Sequence, residues 1–299
     1  FDLGLNSLLS IQLRNQIAQS FKNIPQNFLF EHPSIESMRN ALMVGSEETQ
    51  EDMDAKHYAE TEEILQKYIR KAKSDFAVAK TNYPKGGQQV VLLTGATGAV
   101  GSFILRDLLQ SDKIKKVYCL VRGRKGTDLM GRLRAAFNDR SLDASLLQPG
   151  RVEALPMNLD DAYLGFSREL YTHLRQEVTV VQACAWLLDF NQPVTHYENN
   201  CIVGFYNLIK FAYKKKNPMH FHLVSSITAT AKYGDVIPEV PMACDPTVAA
   251  SFGYAHSKYI CEHLMTYLSQ GKNFPCYIER LGQVCGDTVN GAWNTSEQF

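Results

Sequence analysis

The chain has 299 residues, of which 45% are hydrophobic and 21% are charged, as in an ordinary globular protein. Basic and acidic residues balance at 31 each, so the composition gives no reason to expect nucleic acid or an anionic membrane as a partner. No apolar run reaches the roughly 18–20 residues of a membrane span, and the scattered cysteines lack the C-x-x-C pairs of a zinc site.

The first 44 residues contain only helical patterns. Leu8, Leu13 and Ile17 recur at the spacing of an amphipathic helix of about four turns. Further on, Ser34 can cap a second helix. Because the chain does not begin with Met, we expect 1–44 to be a small helical domain that lacks its beginning, in a fragment of a longer protein.

The segment 45–86 contains the acidic run EETQEDMD near its start, which is typical of a solvated linker. Further along, Leu65, Tyr68 and Ala72 fall on one helical face, so we expect part of this linker to be a helix that packs against its neighbour. The turn residues YPKGG then close the segment.

Strand and helix patterns alternate through the rest of the chain, from 87 to 299. Helical segments such as GSFILRDLLQ and NLIKFAYKK lie between short apolar strands. This alternation predicts an α/β fold of the Rossmann type, with a doubly wound parallel sheet and helices on both faces. The six predicted strands are 90–93, 116–121, 152–155, 178–185, 220–226 and 276–280.

A glycine-rich turn, TGATGAVG, follows the first predicted strand and leads directly into an apolar helix. Gly95 permits the tight turn, Gly98 lets a pyrophosphate approach the backbone, and Gly101 lets the helix pack closely. The free N–H groups at the start of that helix would face the phosphates. We interpret the turn as a dinucleotide site, the alternative being a turn without a ligand. The predicted contacts come from Thr94, Gly95, Thr97, Gly98, Ala99, Val100 and Gly101.

The residue after the second strand indicates which dinucleotide is bound. Arg122 stands where NAD-specific sites place an acidic residue for the ribose 2′-hydroxyl. A guanidinium can bind a 2′-phosphate through two parallel hydrogen bonds. We therefore expect NADPH rather than NADH, bound by Arg122 with Arg124 in support, whereas a merely solvated basic loop would leave the cofactor open.

The motif YAHSK opens a long predicted helix and carries the candidate catalytic residues. Its spacing of four places Tyr254 and Lys258 one turn apart on the same face, where the ammonium would lower the pKa of the phenol and make it a proton donor. Upstream, Ser226 ends the fifth strand, and ligands bind at the carboxyl ends of strands in open α/β sheets. We expect Ser226, rather than Ser225, to orient the substrate oxygen beside Tyr254.

Together, TGATGAVG, VSS and YAHSK resemble the extended short-chain dehydrogenase/reductase superfamily over about residues 88–290. The resemblance implies that Ser226, Tyr254 and Lys258 form a catalytic triad, with Tyr254 and Lys258 also contacting the cofactor. Where the family commonly has Asp-Leu after the third strand, this chain has Asn158-Leu159. The resemblance implies further cofactor contacts from Arg132, Asn158, Leu159, Asn200 and Gln283.

The helical N-terminal part resembles the second half of an acyl or peptidyl carrier domain in the motifs GLNSL, LRNQI and FEHPSI. The resemblance implies that Ser7 receives a covalent 4′-phosphopantetheine arm. Asn6 precedes it, where the family usually has Asp. Without the surrounding motifs, a serine at a helix start would most often be only a cap.

A carrier followed by such a reductase resembles the end of a nonribosomal-peptide-synthetase-like adenylate-forming reductase, the family of aminoadipate and fungal aryl-acid reductases. The stretches CLVRG, AWLLDFN and ENNCIVGFYNL agree with it. The resemblance implies an adenylation domain upstream in the same chain. It implies a partial carrier at 1–44, a linker with a helix at 45–86, and an NADPH-binding thioester reductase at 87–299 whose C-terminal substrate part is truncated.

The activity implied is the NADPH-dependent reductive release of a carrier-bound acyl thioester as an aldehyde, with further reduction to the alcohol left open. Three alternatives are a free-standing short-chain reductase, a redox-inactive condensation domain and a non-catalytic dinucleotide-binding sensor. The carrier-like segment argues against the first, and the Tyr254–Lys258 pair argues against the other two. We expect a cytoplasmic enzyme with reduced cysteines and no metal, membrane or nucleic-acid partner.

Overall fold

The computed structural model describes the chain in nine stretches that together include both predicted domains. The described residues are 7–21, 24, 28–32, 34–44, 50–84, 86–123, 126–190, 192–289 and 291–293.

The N-terminal part is helical, as predicted. It contains α1 (Ser7–Ser20), α2 (Phe28–Glu31) and α3 (Ile35–Val44). A small core forms where Ile24 and Phe28 pack with neighbouring apolar side chains of these helices.

The predicted cap of α3 is present. The Ser34 hydroxyl accepts a hydrogen bond from the Ser37 N–H at 3.1 Å, which satisfies one of the free N–H groups at the start of the helix.

The linker helix, α4, spans Gln50–Asp75 and is more than a tether. Leu65 and Tyr68 are each only 1% exposed and belong to the large core of the α/β part. Its far end is fixed as well, because Asp75 accepts a hydrogen bond from the Tyr206 hydroxyl at 2.9 Å and pairs with Lys210 at 3.0 Å. The predicted packing against a neighbour is therefore confirmed for the C-terminal half of α4.

The α/β part is built on one parallel sheet of six strands in the order β3-β2-β1-β4-β5-β6, which confirms the predicted doubly wound fold. The strand order reverses between β1 and β4, and such a reversal opens a crevice at the carboxyl ends of the strands. The strands are β1 (Gln89–Thr94), β2 (Ile114–Val121), β3 (Val152–Pro156), β4 (Val180–Ala183), β5 (His220–Ser226) and β6 (Cys276–Leu281).

Helices cover both faces of the sheet. On one face, Leu105 of α5 and Phe137 of α6 pack against β1 and β2; on the other, α4, α7, α9 and α10 form the larger core. A π-helical turn, Glu198–Ile202, joins α8 to α9. The helices are α5 (Ala99–Gln110), α6 (Leu129–Asn138), α7 (Arg168–Glu177), α8 (Val194–Tyr197), α9 (Val203–Ala212) and α10 (Gly253–Lys272).

The fourth strand is shorter than predicted, 180–183 instead of 178–185. At its start, the Val178 N–H still bonds to Leu174 O of α7 at 2.8 Å. At its end, the N–H groups of Cys184 and Ala185 each donate to the Thr94 hydroxyl at 3.0 Å. Val178 thus remains bonded to α7, while Cys184 and Ala185 bond to a side chain instead of a neighbouring strand's backbone, and the apolar pattern could not show it.

None of the helices in the described ranges is both long and apolar enough to span a bilayer. The same ranges contain no group of three or more His, Cys, Asp or Glu side chains that could bind a metal ion together.

Candidate active site

The glycine-rich turn after β1 is shaped by close backbone contacts. Gly95 has a φ of +78°, and a Cβ on it would lie 2.8 Å from the Ala185 nitrogen. A Cβ on Gly101 would lie 2.0 Å from Gly95 O. Both positions therefore require glycine, and the first turn of α5 packs directly on the loop. This geometry fits a pyrophosphate, since it leaves the N-terminal end of α5 facing the crevice.

The other turn residues predicted to contact the dinucleotide differ in their access to the crevice. Gly98 is the N-cap of α5 and is exposed, while Thr97, Ala99 and Val100 are half-buried around it. Thr94 is fully buried, and its hydroxyl joins β1 to the segment after β4. The Thr94 side chain therefore stabilises the wall of the crevice, and the contact of Thr94 with the cofactor stays a prediction.

Two arginines predicted to bind the cofactor lie together at the end of β2. Arg122 directly follows the strand and is exposed. Arg132 of α6 donates from its guanidinium to the Arg122 carbonyl oxygen. Arg132 thereby fixes the backbone that carries Arg122, and both cations stand at one side of the crevice. Arg124 lies outside the described residues.

Asn158 and Leu159 follow β3 on the same side of the crevice. The Asn158 side chain is exposed, while its backbone N–H donates to Leu164 O at 3.1 Å. Leu159 packs on the larger core, and its carbonyl accepts a hydrogen bond from Asn207 Nδ2 at 2.8 Å. The side chain of Asn158 is therefore open to a ligand, whereas Leu159 mainly anchors the loop to α9.

The last two predicted cofactor contacts are exposed side chains. Asn200 lies on the π-helical turn, and its side chain donates to His196 O at 2.8 Å. Gln283 follows β6 by two residues. Because Leu281 pairs with Ser226 across the sheet, Gln283 stands at the same carboxyl edge as the candidate catalytic serine.

The two serines at the end of β5 face opposite sides of the sheet. Ser225 Oγ donates to the Glu262 carboxylate at 2.5 Å, and Glu262 is paired with Arg280 at 2.7 Å. Ser226 Oγ accepts hydrogen bonds from Thr228, from its N–H at 3.2 Å and its hydroxyl at 3.0 Å. Ser226 also lies close enough to Tyr254 to lower the pKa of its phenol. Of the two, Ser226 is therefore the serine beside the tyrosine.

Tyr254 lies in the first turn of α10 and is 8% exposed. Aromatic rings surround it, with Phe190 edge-on at 5.2 Å and Tyr197 at 6.1 Å between centroids. Burial raises the pKa of Tyr254 above its ordinary value, and the nearby Ser226 side chain offsets part of this rise. The predicted lowering of this pKa by Lys258 is wrong for this structure, because burial dominates.

Lys258 is 2% exposed, one helical turn beyond Tyr254. Its ammonium donates to Val224 O at 2.8 Å and lies 5.7 Å from the Tyr254 ring centroid. Burial lowers the pKa of Lys258 to about 8, against nearby groups that raise it. The structure thus brings the three predicted catalytic side chains together at the carboxyl end of β5.

Two aromatic residues of the site were not predicted. Trp186 covers the Lys258 ammonium, with 3.9 Å from Nζ to the ring centroid. Phe190 is 54% exposed beside Tyr254. Both belong to AWLLDFN, a stretch that resembles the family but to which no role in the site was assigned. Their position directly after a strand end that borders the crevice was the available signal.

Ser7, the predicted arm attachment point, is the first residue of α1. Asn6, which precedes it, lies outside the described residues. The backbone position at a helix start is the one predicted.

Two family models match the chain. Residues 93–299 match the NAD-binding family described as Male sterility protein, and residues 1–42 match the family described as Phosphopantetheine attachment site. The first match covers most of the sheet and the candidate site, and the second covers the segment that resembles a carrier domain.

Among curated proteins, the chain is 33% identical over 329 residues to "Adenylate-forming reductase Nps9" of Serpula lacrymans. It is 28% identical over 314 residues to "Carboxylic acid reductase" of Neurospora crassa. These matches cover 100% and 99% of this chain but only 29% and 28% of those proteins. The chain therefore spans less than a third of the length of these relatives.

Two solved structures share the architecture. The terminal R domain from the myxalamid PKS-NRPS biosynthetic pathway matches with a TM-score of 0.68 and 25% identity, over 79% of this chain and 59% of that one. A thiolation-reductase di-domain from an archaeal non-ribosomal peptide synthetase matches with a TM-score of 0.67 and 21% identity, over 98% and 60%. Taken with the family matches, these findings confirm the resemblance that the motifs indicated.

Proposed function

The chain belongs to the NAD-binding family described as Male sterility protein, and from that premise we propose that it is the reductase end of an adenylate-forming reductase. The proposed reaction is the NADPH-dependent release of an acyl group from a carrier-bound thioester as an aldehyde. The observation that carries the proposal is the cluster of Ser226, Tyr254 and Lys258 beside a dinucleotide turn, in a chain that also matches a phosphopantetheine attachment family.

Ser226 and Tyr254 act on the thioester oxygen. Because Ser226 Oγ accepts both hydrogen bonds from Thr228, its own proton is available to donate. The raised pKa of Tyr254 keeps the phenol protonated at neutral pH, as a proton donor must be. Bound NADPH supplies the hydride. Tyr254 gives its proton to the oxygen as negative charge develops there, and Ser226 stabilises that charge.

The reaction balances with these groups alone. The carbonyl carbon gains the hydride and its oxygen gains the Tyr254 proton. The carbon–sulfur bond then breaks, the hydroxyl proton passes to sulfur, and an aldehyde and a free thiol leave. Tyr254 regains a proton from solvent.

Lys258 belongs to the same site as Tyr254. Its buried ammonium, fixed by the Val224 carbonyl at 2.8 Å, is one turn from Tyr254 on α10. We assign it the contact to the cofactor ribose that the short-chain reductase resemblance implies. In that position it also provides positive charge close to the phenol when the proton is transferred.

The choice of NADPH rests on Arg122 and Arg132. The exposed guanidinium of Arg122 at the end of β2 can bind a 2′-phosphate, and Arg132 supports it by binding its carbonyl oxygen. Asn158 and Gln283 are exposed side chains that follow β3 and β6, and Asn200 is exposed on the π-helical turn; all three can complete the cofactor site.

The acyl group would arrive on a 4′-phosphopantetheine arm attached to Ser7. The carrier family match over residues 1–42 supports this. The whole of this chain matches only 29% of an adenylate-forming reductase, so we place an adenylation domain upstream in the same protein. Tethering gives the thioester a high effective concentration at the cleft, so the reductase needs little intrinsic affinity for the acyl group.

We also propose a different boundary between linker and reductase. The C-terminal half of α4 packs in the reductase core, with Leu65 and Tyr68 each 1% exposed. The reductase unit would then begin within α4 and not at residue 87, leaving only the stretch after 44 as a tether.

The proposal is tested on the full-length protein loaded with an acyl group on its arm. Mass spectrometry should detect the aldehyde, and NADPH absorbance should fall by one equivalent for each aldehyde released. Two equivalents would indicate reduction on to the alcohol. Release of product without NADPH consumption would instead support a condensation domain.

A further inference from the structure

Trp186 contacts the catalytic helix α10 at two consecutive residues. Its indole N–H donates to Ser257 Oγ at 3.1 Å, and the face of its ring lies 3.9 Å from Lys258 Nζ. Ser257 in turn donates to Tyr254 O at 2.6 Å. The indole therefore contacts the YAHSK motif at its last two residues, and it does so from outside α10.

The position of Trp186 is set by the glycine-rich turn. The preceding residue, Ala185, donates its N–H to the buried Thr94 hydroxyl at 3.0 Å. Its nitrogen also lies only 2.8 Å from where a Cβ on Gly95 would stand. On the other side, the indole packs edge-on against Phe205, with 6.0 Å between centroids. The ring is thus held between the cofactor turn and the core.

The Lys258 side chain has little contact with solvent, so its positive charge must be stabilised by neighbouring protein groups. Burial lowers its pKa to about 8. The groups that favour the charged form are the Val224 carbonyl on β5, the indole face, and the electrostatic influence of neighbouring side chains. The Glu262 carboxylate is already bound by Arg280 and Ser225. The titratable groups around Lys258 are Tyr254, Cys184, Cys201, Cys261 and Glu262.

We propose that Trp186 is a positioning residue that keeps Lys258 charged and directed to the cofactor ribose. A cation over an indole face is attracted by the ring, and the neutral amine is not. The ring therefore opposes the effect of burial on the lysine. The ribose contact of Lys258 rests on the function proposed above.

The test measures the affinity of the full-length protein for NADPH between pH 7 and pH 10. In wild type, the affinity should fall as Lys258 loses its proton near pH 8, and Lys258→Met should abolish this pH dependence. Trp186→Leu should move the fall to lower pH by about 0.5–1 unit, from the energy of a cation over an aromatic face. Ser257→Ala keeps the ring face and should leave the titration in place.

Trp293→Leu is the matched control, because Trp293 is the second tryptophan of the chain and is 40% exposed. It should titrate like wild type. Trp186→Phe keeps a ring with a weaker attraction for cations, so its shift should be smaller and in the same direction. If Trp186→Leu does not unfold cooperatively, Trp186→Phe replaces it in the NADPH titration.

A fall in affinity at the same pH in wild type and the Trp186 variants would overturn the inference. So would a weakening that is equal at every pH, which is what a purely structural role predicts. NADPH affinity needs no acyl thioester. Failure of the proposed reaction would therefore appear separately, as absent aldehyde in a protein whose NADPH affinity still titrates.

Discussion

Ser225 and Ser226 are adjacent in sequence but lie in different environments. Ser225 Oγ donates to the buried Glu262 carboxylate at 2.5 Å, while Ser226 Oγ accepts two hydrogen bonds from Thr228 and lies close enough to Tyr254 to lower the pKa of its phenol. Successive residues of a strand point to opposite faces, so only one of the two can reach the crevice. The pair therefore offers a contrast between a structural and a catalytic hydroxyl.

We expect Ser226→Ala and Ser225→Ala to fail in different ways. Ser226→Ala should lower turnover by about 10²–10³-fold, the range for loss of one oxyanion donor. It should also lower the free energy of unfolding by about 0.5–2 kcal/mol, because the Thr228 N–H and hydroxyl lose their acceptor. Ser225→Ala should lower the free energy of unfolding by about 1.5–3 kcal/mol, because a buried carboxylate loses a donor. Turnover and urea unfolding of both variants are the measurements. Equal turnover in the two variants would contradict the assignment.

Tyr254→Phe should abolish most of the reduction while leaving the fold and NADPH binding intact. The change removes the proton and little volume, and general acid catalysis typically contributes about 10²–10⁴-fold. Since burial raises the pKa of Tyr254, the wild-type phenol should remain protonated up to mildly alkaline pH. NADPH consumption during aldehyde release is the readout. A variant that consumed NADPH at the wild-type rate would show that the acid lies elsewhere.

Arg122→Ala should weaken NADPH binding selectively. The loss is expected to be about 1.5–3 kcal/mol, the range for a hydrogen bond to a charged group, because the 2′-phosphate loses its guanidinium. NADH has no such phosphate, so its affinity should hardly change. Titration of both cofactors into wild type and the variant tests this. Equal affinity of the wild type for NADH and NADPH would refute the assignment of Arg122.

Ser7→Ala should prevent attachment of the arm. A phosphopantetheinyl transferase should add the mass of 4′-phosphopantetheine to wild type and not to the variant, as seen by intact mass. Ser10→Ala, a serine one turn later in α1, is the control and should still be labelled. Labelling of Ser7→Ala to the wild-type level would show that another hydroxyl carries the arm.

The sequence was sufficient to predict those parts of the site whose geometry depends on residues close together in the chain. The turn at Gly95 and Gly101 lies between an apolar strand and helix, and the spacing of Tyr254 and Lys258 follows from one helical turn. Both are local relationships, so they can be read without knowing the fold. The place of Ser226 at the end of the fifth strand also favoured it over Ser225.

Contacts between distant segments could not be predicted in the same way. Trp186 meets Lys258 only because β4 and α10 converge at the crevice. The raised pKa of Tyr254 depends on burial among rings such as Phe190 and Tyr197, which come from two other segments. Likewise, the buried hydroxyl of Thr94 looks in sequence like one more member of the dinucleotide turn. Each of these depends on which surfaces pack together, which periodicity does not reveal.

Helix α4 offers a test of where the reductase unit begins. Leu65→Ala should destabilise that unit by about 2–5 kcal/mol, because Leu65 is 1% exposed in the core and its loss leaves a cavity. Lys67→Ala, two residues on, removes a half-exposed ion pair with Glu198 and should cost less than about 1 kcal/mol. If α4 were only a tether, both changes would be nearly neutral. The urea concentration at which the full-length protein loses NADPH binding reports on this unit alone. A Leu65→Ala midpoint equal to that of Lys67→Ala would return the boundary to residue 87. A clearly lower Leu65→Ala midpoint would show that the C-terminal half of α4 belongs to the reductase unit and supports the catalytic helix α10.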